Sequence, residues 1–130
     1  MIVVDASALV AILLDEPERP AFFDILGKSK VVLSPVGYWE AAIKLEHQRG
    51  PRGVGELDTL LSDFDIQIVP ADAETSRTAV EAQRLFGKRA LAKLNMGDCF
   101  AYALAKGLNA PLLFKGADFA HTDIRSALPA

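Results

Sequence analysis

The chain carries one cysteine, Cys99, in 130 residues. An intramolecular disulfide and a cysteine-built zinc site are therefore excluded. A lone thiol fits a reducing compartment, and the cytoplasm is the expected location. Histidine is scarce as well: His47 and His121, the chain's 2 histidines, lie far apart with no zinc-like spacing. Long hydrophobic runs are missing. The longest, Ala8 to Leu14 and Cys99 to Ala105, are too short to span a bilayer. The N-terminus lacks a basic flank and Asp5 interrupts its apolar start, so no signal peptide is expected. Positive charge is not in excess either, since 14 Lys and Arg face 17 Asp and Glu, a net charge of −3. That argues against a broadly basic surface for gripping nucleic acid. It leaves room for an enzyme that holds nucleic acid through a metal and a local basic patch. A Gly-rich phosphate loop, a Gly-x-Gly-x-x-Gly run and a Ser/His/Asp order are all absent, so nucleotide-triphosphate and acyl-transfer chemistry lack support.

What is present is a globular composition, 51% hydrophobic and 24% charged. A chain of this length is expected to be one domain over 1–130 and to bury about two thirds of its unfolded surface. Apolar β-branched runs at Ile2–Val4, Val31–Leu33 and Ile66–Val69, with Leu112–Phe114, predict four short strands. Helices are predicted over Ala6–Leu14, Ala21–Lys28, Ser34 to about Arg49, Val54–Phe64, Ala73 to about Phe86, and Asn95 to near Lys106. Ser34-Pro35, Asp72 and Asn95 supply the caps, and Gly107 a stop. Gly50-Pro51-Arg52-Gly53 is expected to be a loop, and an edge strand is expected near Thr122–Arg125. The alternation of strand and helix predicts an α/β fold, a parallel sheet with helices on both faces. No internal repeat or linker is evident.

Three acids stand where a bland explanation is strained. Asp5 closes the first strand, and ligands gather beyond the carboxyl ends of parallel strands. Alone, it could equally be a helix cap. Glu40 has Val36 four residues before it and Ile43 three after, which puts it on an apolar stripe beside Trp39. An ionised carboxylate there is costly unless paired or bound to a cation; taken alone, Glu40 could equally lie at the stripe's edge and reach solvent. Asp98 falls in the first turn of a helix that is apolar nearly all round. The helix dipole tolerates an acid there without requiring one. Asp118 and Asp123 follow the fourth strand.

Together the set changes meaning. The sheet can bring the ends of its first and fourth strands together with the starts of two helices. Two carboxylates about 4 Å apart cost about 4 kcal/mol at an effective dielectric near 20. A divalent cation relieves that cost, and hard oxygen ligands select Mg²⁺ or Mn²⁺. Such a site supports attack of water on a phosphodiester. The basic residues Lys44, Arg49, Arg52, Lys88, Arg89, Lys93 and Lys115 are candidates to hold the substrate.

These residues resemble a known family. Val3-Val4-Asp5-Ala6-Ser7-Ala8 is similar to the opening of PIN-domain proteins. The block Leu94-Asn95-Met96-Gly97-Asp98-Cys99-Phe100 is similar to their third acidic motif. Pro111 to Phe119, followed by Thr122-Asp123-Ile124, resembles the C-terminal block of one branch of VapC toxins, and Glu40 falls where the family keeps its second acid. The resemblance implies a three-layer α/β/α PIN-like fold with a four- to five-stranded sheet. It also implies a Mg²⁺- or Mn²⁺-dependent endoribonuclease, the toxin of a type II toxin–antitoxin pair. Such proteins are homodimers silenced by a cognate VapB antitoxin. By carry-over, Asp5 and Asp98 are the metal ligands, Glu40 completes the acidic site, and Ser7 steadies Asp5. One departure concerns the fourth acid. Its usual position is Gly116 here, with Asp118 as the candidate substitute.

Other readings are an RNA-processing PIN nuclease without an antitoxin, a catalytically dead PIN scaffold, and a phosphoacceptor signalling domain with an acidic Mg²⁺ pocket. The last needs an aspartate at the end of the middle strand, but Ile66-Gln67-Ile68-Val69-Pro70 has none. A haloacid-dehalogenase-type phosphatase would need a second aspartate where Ser7 stands. A homodimer also draws on Leu9, Leu13 and the adjacent Phe22 and Phe23, which suggest a helical face shared with another chain.

Overall fold

The computed structural model describes residues 1–129. Strand β1 (Ile2–Val4) leads into α1 (Ala6–Leu13) and α2 (Arg19–Lys28). Next come β2 (Val31–Leu33), α3 (Pro35–Arg49), α4 (Pro51–Asp63) and β3 (Gln67–Ile68). Helices α5 (Ala73–Phe86) and α6 (Met96–Leu108), strand β4 (Leu112–Leu113) and a 3₁₀ turn (Asp118–His121) complete the described elements. The strands form one parallel sheet in the order β3-β2-β1-β4. Val3 lies opposite Val32 on one side and Leu112 on the other, which makes β1 central.

Successive strand residues face opposite sides of a sheet, and the two cores divide accordingly. Ile2 and Val4 pack with Leu9, Ile12, Phe22, Leu45 and Leu57 under α1 to α4. Val3 packs with Val32, Ala79, Leu94, Tyr102 and Leu112 under α5 and α6. Strands buried on both faces must be apolar throughout, and β1, β2 and β4 are. No helix among the described residues is long and apolar enough to cross a membrane.

Several expectations shift. Pro51 starts α4 instead of sitting in a loop. Only Gly50, at φ +69°, makes the turn, and its N–H closes α3 on the Glu46 carbonyl at 2.7 Å. A proline at the first helical position lacks only an N–H that the helix could not use. Gly53 acts by being small: a β-carbon there would lie 2.4 Å from the Leu45 carbonyl oxygen. Gly107 does not stop α6, which runs on to Leu108 and ends at Asn109 in the left-handed region, φ 50°. The expected edge strand is a single parallel bridge, Leu112 to Ser126, just beyond the predicted segment.

Part of the proposed shared apolar face is spent inside the chain, while Leu13 and Phe23 stay partly exposed along a groove beside α4. Leu9 and Phe22 are buried, and Phe23 packs on Phe64 with ring centroids 5.4 Å apart. The adjacent phenylalanines divide: Phe22 enters the core, and Phe23 lies at its margin against Phe64 at the end of α4.

The two α4 glycines should therefore respond oppositely to alanine. Gly53→Ala pushes a methyl into the α3 backbone and should cost about 1–3 kcal/mol. Gly55→Ala meets nothing within 4 Å and should add about 0.5–1 kcal/mol. Urea unfolding of both variants checks this, and equal stabilities would refute the close α3–α4 approach.

Candidate active site

Asp5 is the first residue past β1, and its N–H bonds the Leu113 carbonyl of β4 at 2.9 Å. It caps α1 by accepting the Ser7 N–H on Oδ2 at 3.0 Å. The helix-cap explanation thus accounts for one oxygen. The other, Oδ1, is buried without a hydrogen-bond partner, and the residue is 3% exposed. Ser7 is anchored in turn, because its hydroxyl oxygen accepts the Lys115 N–H at 3.0 Å. The chain leaving β4 is thereby fastened beside Asp5. Burial pushes the Asp5 carboxyl above its ordinary range, against the lowering effect of the Ser7 hydroxyl and N–H.

Asp98 belongs to a capping box at the start of α6. Asn95 Oδ1 accepts the Asp98 N–H at 2.9 Å, and Asp98 Oδ2 accepts the Asn95 N–H at 3.0 Å. Local sequence therefore fixes the carboxylate's direction before any ligand arrives. Burial raises it to about 6, with the charges of Asp5 and Asp118 adding to the rise.

Glu40 lies in the second turn of α3 and is half-buried. Its placement on an apolar stripe beside Trp39 needs correction. The buried stripe of α3 runs through Gly37, Ala41, Ala42 and Leu45, while Trp39 is 57% exposed. Glu40 sits at the stripe's edge, and what covers it is α6. A β-carbon on Gly97 would fall 2.0 Å from Glu40 Oε1. The carboxylate thus rests against the first turn of α6, where the helix dipole favours an anion. Burial, then the charges of Asp5 and Asp98, raise Glu40 to about 7.

The three acids line one cleft of about 310 Å³ with Asp118, Lys44 and the exposed ring of Trp39. Asp118 is exposed at the start of the 3₁₀ turn. Gly116 has φ +100°, a conformation that L side chains rarely adopt. An acid at that position would be strained in this conformation, and the next acid in the cleft is Asp118, two residues later. Lys44 stands one turn after Glu40, and its charge lowers all three acids.

Asp123 is not brought in. It accepts the Tyr102 hydroxyl at 2.6 Å and pairs with Lys106, a structural role. Neither histidine lines the cleft. Lys115 lines it, but its ammonium pairs with Glu16 at 3.0 Å and Glu18 at 3.5 Å. Arg49 and Arg52 both pair with Glu56. Lys44, Lys88, Arg89 and Lys93 are exposed and make no ion pair among the described residues. A larger hollow of about 580 Å³ near Ile68, Thr75 and Leu104 has no such chemistry, since Asp72 there is committed to capping α5.

Carboxyls held above their ordinary values make folding favour the protonated forms. Their stabilising share is complete below about pH 4 and is lost as pH rises through about 6 for Asp98 and about 7 for Glu40. At neutral pH the site is under electrostatic stress that a bound cation would relieve. Among the described residues no three His, Cys, Asp or Glu side chains form a ready-made ligand set. Mg²⁺ requires less, because it keeps several waters and is commonly held by one or two carboxylates. The partnerless Asp5 oxygen and the all-oxygen donor set fit that demand.

Known proteins share this chain's sequence pattern and fold. Residues 2–125 match the PIN domain family model. Ribonuclease VapC30 of Mycobacterium tuberculosis is 44% identical over 130 residues, covering 98% of this chain and 99% of the relative. The crystal structure of VapC20 from the same organism, a sarcin-ricin loop cleaving toxin, superposes with a TM-score of 0.82 at 14% identity. That match covers 99% of this chain and 100% of VapC20. VapBC2 of Rickettsia felis, solved with a promoter DNA fragment, gives a TM-score of 0.73 at 15% identity over 97% of this chain and 96% of the other. The chain belongs to the PIN-domain family, in its VapC ribonuclease branch.

Sequence reasoning gave Gly97 no role of its own. Its signal was a glycine inside a helix, next to an acid, where alanine would be the better helix former. Gly97→Ala should leave the fold intact, because the clash is with the end of a flexible side chain. It should displace the Glu40 carboxylate and lower kcat/KM about tenfold or more, with a Tm within a few degrees of wild type. Shortening the acid in a Gly97→Ala/Glu40→Asp double variant should recover part of that loss. Wild-type activity in Gly97→Ala would remove Gly97 from the site.

Proposed function

We propose that the cleft hydrolyses RNA phosphodiester bonds endonucleolytically, with Asp5 and Asp98 holding a divalent cation, Mg²⁺ or Mn²⁺. The observation that carries this reading is the buried, partnerless Asp5 oxygen in a cleft shared with two further acids raised to about 6 and about 7. When bound, the cation would supply charge neutralisation at the phosphate oxygens and help orient water. Asp98 brings its carboxylate to the cleft already oriented by Asn95. Glu40, which lines the same cleft without holding the cation, is the group suited to take a proton from the attacking water as its oxygen bonds to phosphorus, and the leaving oxygen departs with a proton from solvent. Asp118 orders solvent at the rim.

The protein is acidic, so substrate grip falls to local groups. Lys44 in the cleft and Lys88, Arg89 and Lys93 on the loop before α6 are candidates, being exposed cations not tied into ion pairs among the described residues. We further propose that this chain is the toxin of a pair, a cytoplasmic homodimer silenced by a VapB-type antitoxin. Likeness to VapC proteins and to a solved VapBC assembly supports that reading. An antitoxin guanidinium entering the cleft would match its clustered carboxylates.

Asp98→Asn keeps the side chain's shape and an oxygen for the cap while removing the charge. It should lower kcat/KM for RNA at least about a hundredfold, or roughly 3 kcal/mol, with little change in Tm. EDTA should abolish wild-type cleavage, and added Mg²⁺ or Mn²⁺ should restore it. Cleavage by Asp98→Asn at the wild-type rate in Mg²⁺ would overturn the assignment.

A further inference from the structure

We propose that the Trp39 indole is a stacking platform for one base of the RNA beside the scissile phosphate. The proposal rests on the ribonuclease reading and deepens it, because it says how an acidic protein holds its substrate.

Trp39 is the chain's one tryptophan and is 57% exposed. It lines the same cleft as Asp5, Glu40 and Asp98. Its ring makes no aromatic pair and its indole N–H no hydrogen bond among the described residues. Fold stability therefore gives little reason for so large an apolar surface at this place. Ile43 lies four residues on and extends the same flank as an apolar wall. The far side of the cleft is carboxylate. A nucleotide has the matching division: an aromatic base for the wall, and a phosphate for the cation that the acids would hold.

Trp39 and Glu40 line the same cleft of about 310 Å³, so a stacked base would lie within a nucleotide or so of the reacting phosphate. Electrostatics add a reason. The net charge is −3, and Lys115, which lines the cleft, is already paired with Glu16 and Glu18. Stacking supplies affinity that needs no positive charge and accepts any base. It also requires a base free of its duplex, so the segment held at Trp39 would be single-stranded.

The lone tryptophan makes the test direct. Wild type and Trp39→Phe, Trp39→Leu and Trp39→Ala variants would be assayed for cleavage of a single-stranded RNA. Indole fluorescence of the wild type would be followed during titration, in EDTA, with an RNA oligonucleotide and with an abasic ribose-phosphate oligomer of equal length. Fluorescence should be quenched saturably by the RNA and much less by the abasic oligomer. KM should rise about tenfold in Trp39→Ala and Trp39→Leu, with Trp39→Phe intermediate, and KM should account for most of the loss in kcat/KM. Equal KM in Trp39→Ala and wild type, or equal quenching by both oligomers, overturns the proposal. So does a Trp39→Ala variant that keeps its RNA kinetics but loses affinity for the antitoxin, since the ring would then be a protein contact. A wild type that cleaves no RNA in Mg²⁺ or Mn²⁺ would instead sink the ribonuclease reading, and the platform with it.

Discussion

Asp5, Glu40 and Asp98 repel one another, and burial strengthens the repulsion by removing the water that would screen it. Nothing in their mutual chemistry holds them together. The backbone does, through three separate devices. Asp5 is fixed as the cap of α1 at the end of the central strand. Asp98 is fixed by its exchange of hydrogen bonds with Asn95. Glu40 is held by the contact of α3 with α6, which Gly97 makes close enough. Each device is ordinary helix chemistry whose stabilising effect offsets part of the cost of the assembled charge. Lys44 moderates the field and leaves the acids above their ordinary values.

The sheet order explains why this assembly is possible. With β1 between β2 and β4, the chain leaves three adjacent strands at the same edge. Asp5 follows β1, Ser34 follows β2 to start the helix that bears Glu40, and Lys115 follows β4 to bond Ser7. A parallel sheet sets these exits side by side, where an antiparallel one would send alternate exits to the opposite edge.

How much of this was legible depended on range. The caps Ser34, Asp72 and Asn95 are signals within a few residues, and the structure uses each of them. The doubly buried strands were legible because burial on both faces demands unbroken apolar runs. The breaker reading at Gly50 to Gly53 erred because glycine has two uses, conformational freedom and smallness, and only Gly50 uses the first. The same ambiguity hid Gly97. Glu40 was singled out for a face it does not occupy, since its burial comes from α6, more than fifty residues away in sequence. Phe22 and Phe23 were ambiguous for a similar reason: Phe22 is buried in the core while Phe23 meets Phe64 at the end of α4, a long-range partner that spacing along α2 cannot reveal.

Folding forces these carboxyls together, and a bound divalent cation would relieve their repulsion. Carbon-detected NMR titration of the Glu40 and Asp98 carboxyls in metal-free protein tests it most directly. Midpoints near 7 for Glu40 and near 6 for Asp98 are expected, with both falling below about 5 at saturating Mg²⁺. Midpoints at the ordinary value of about 4 without metal, unmoved when Mg²⁺ is added, would contradict it.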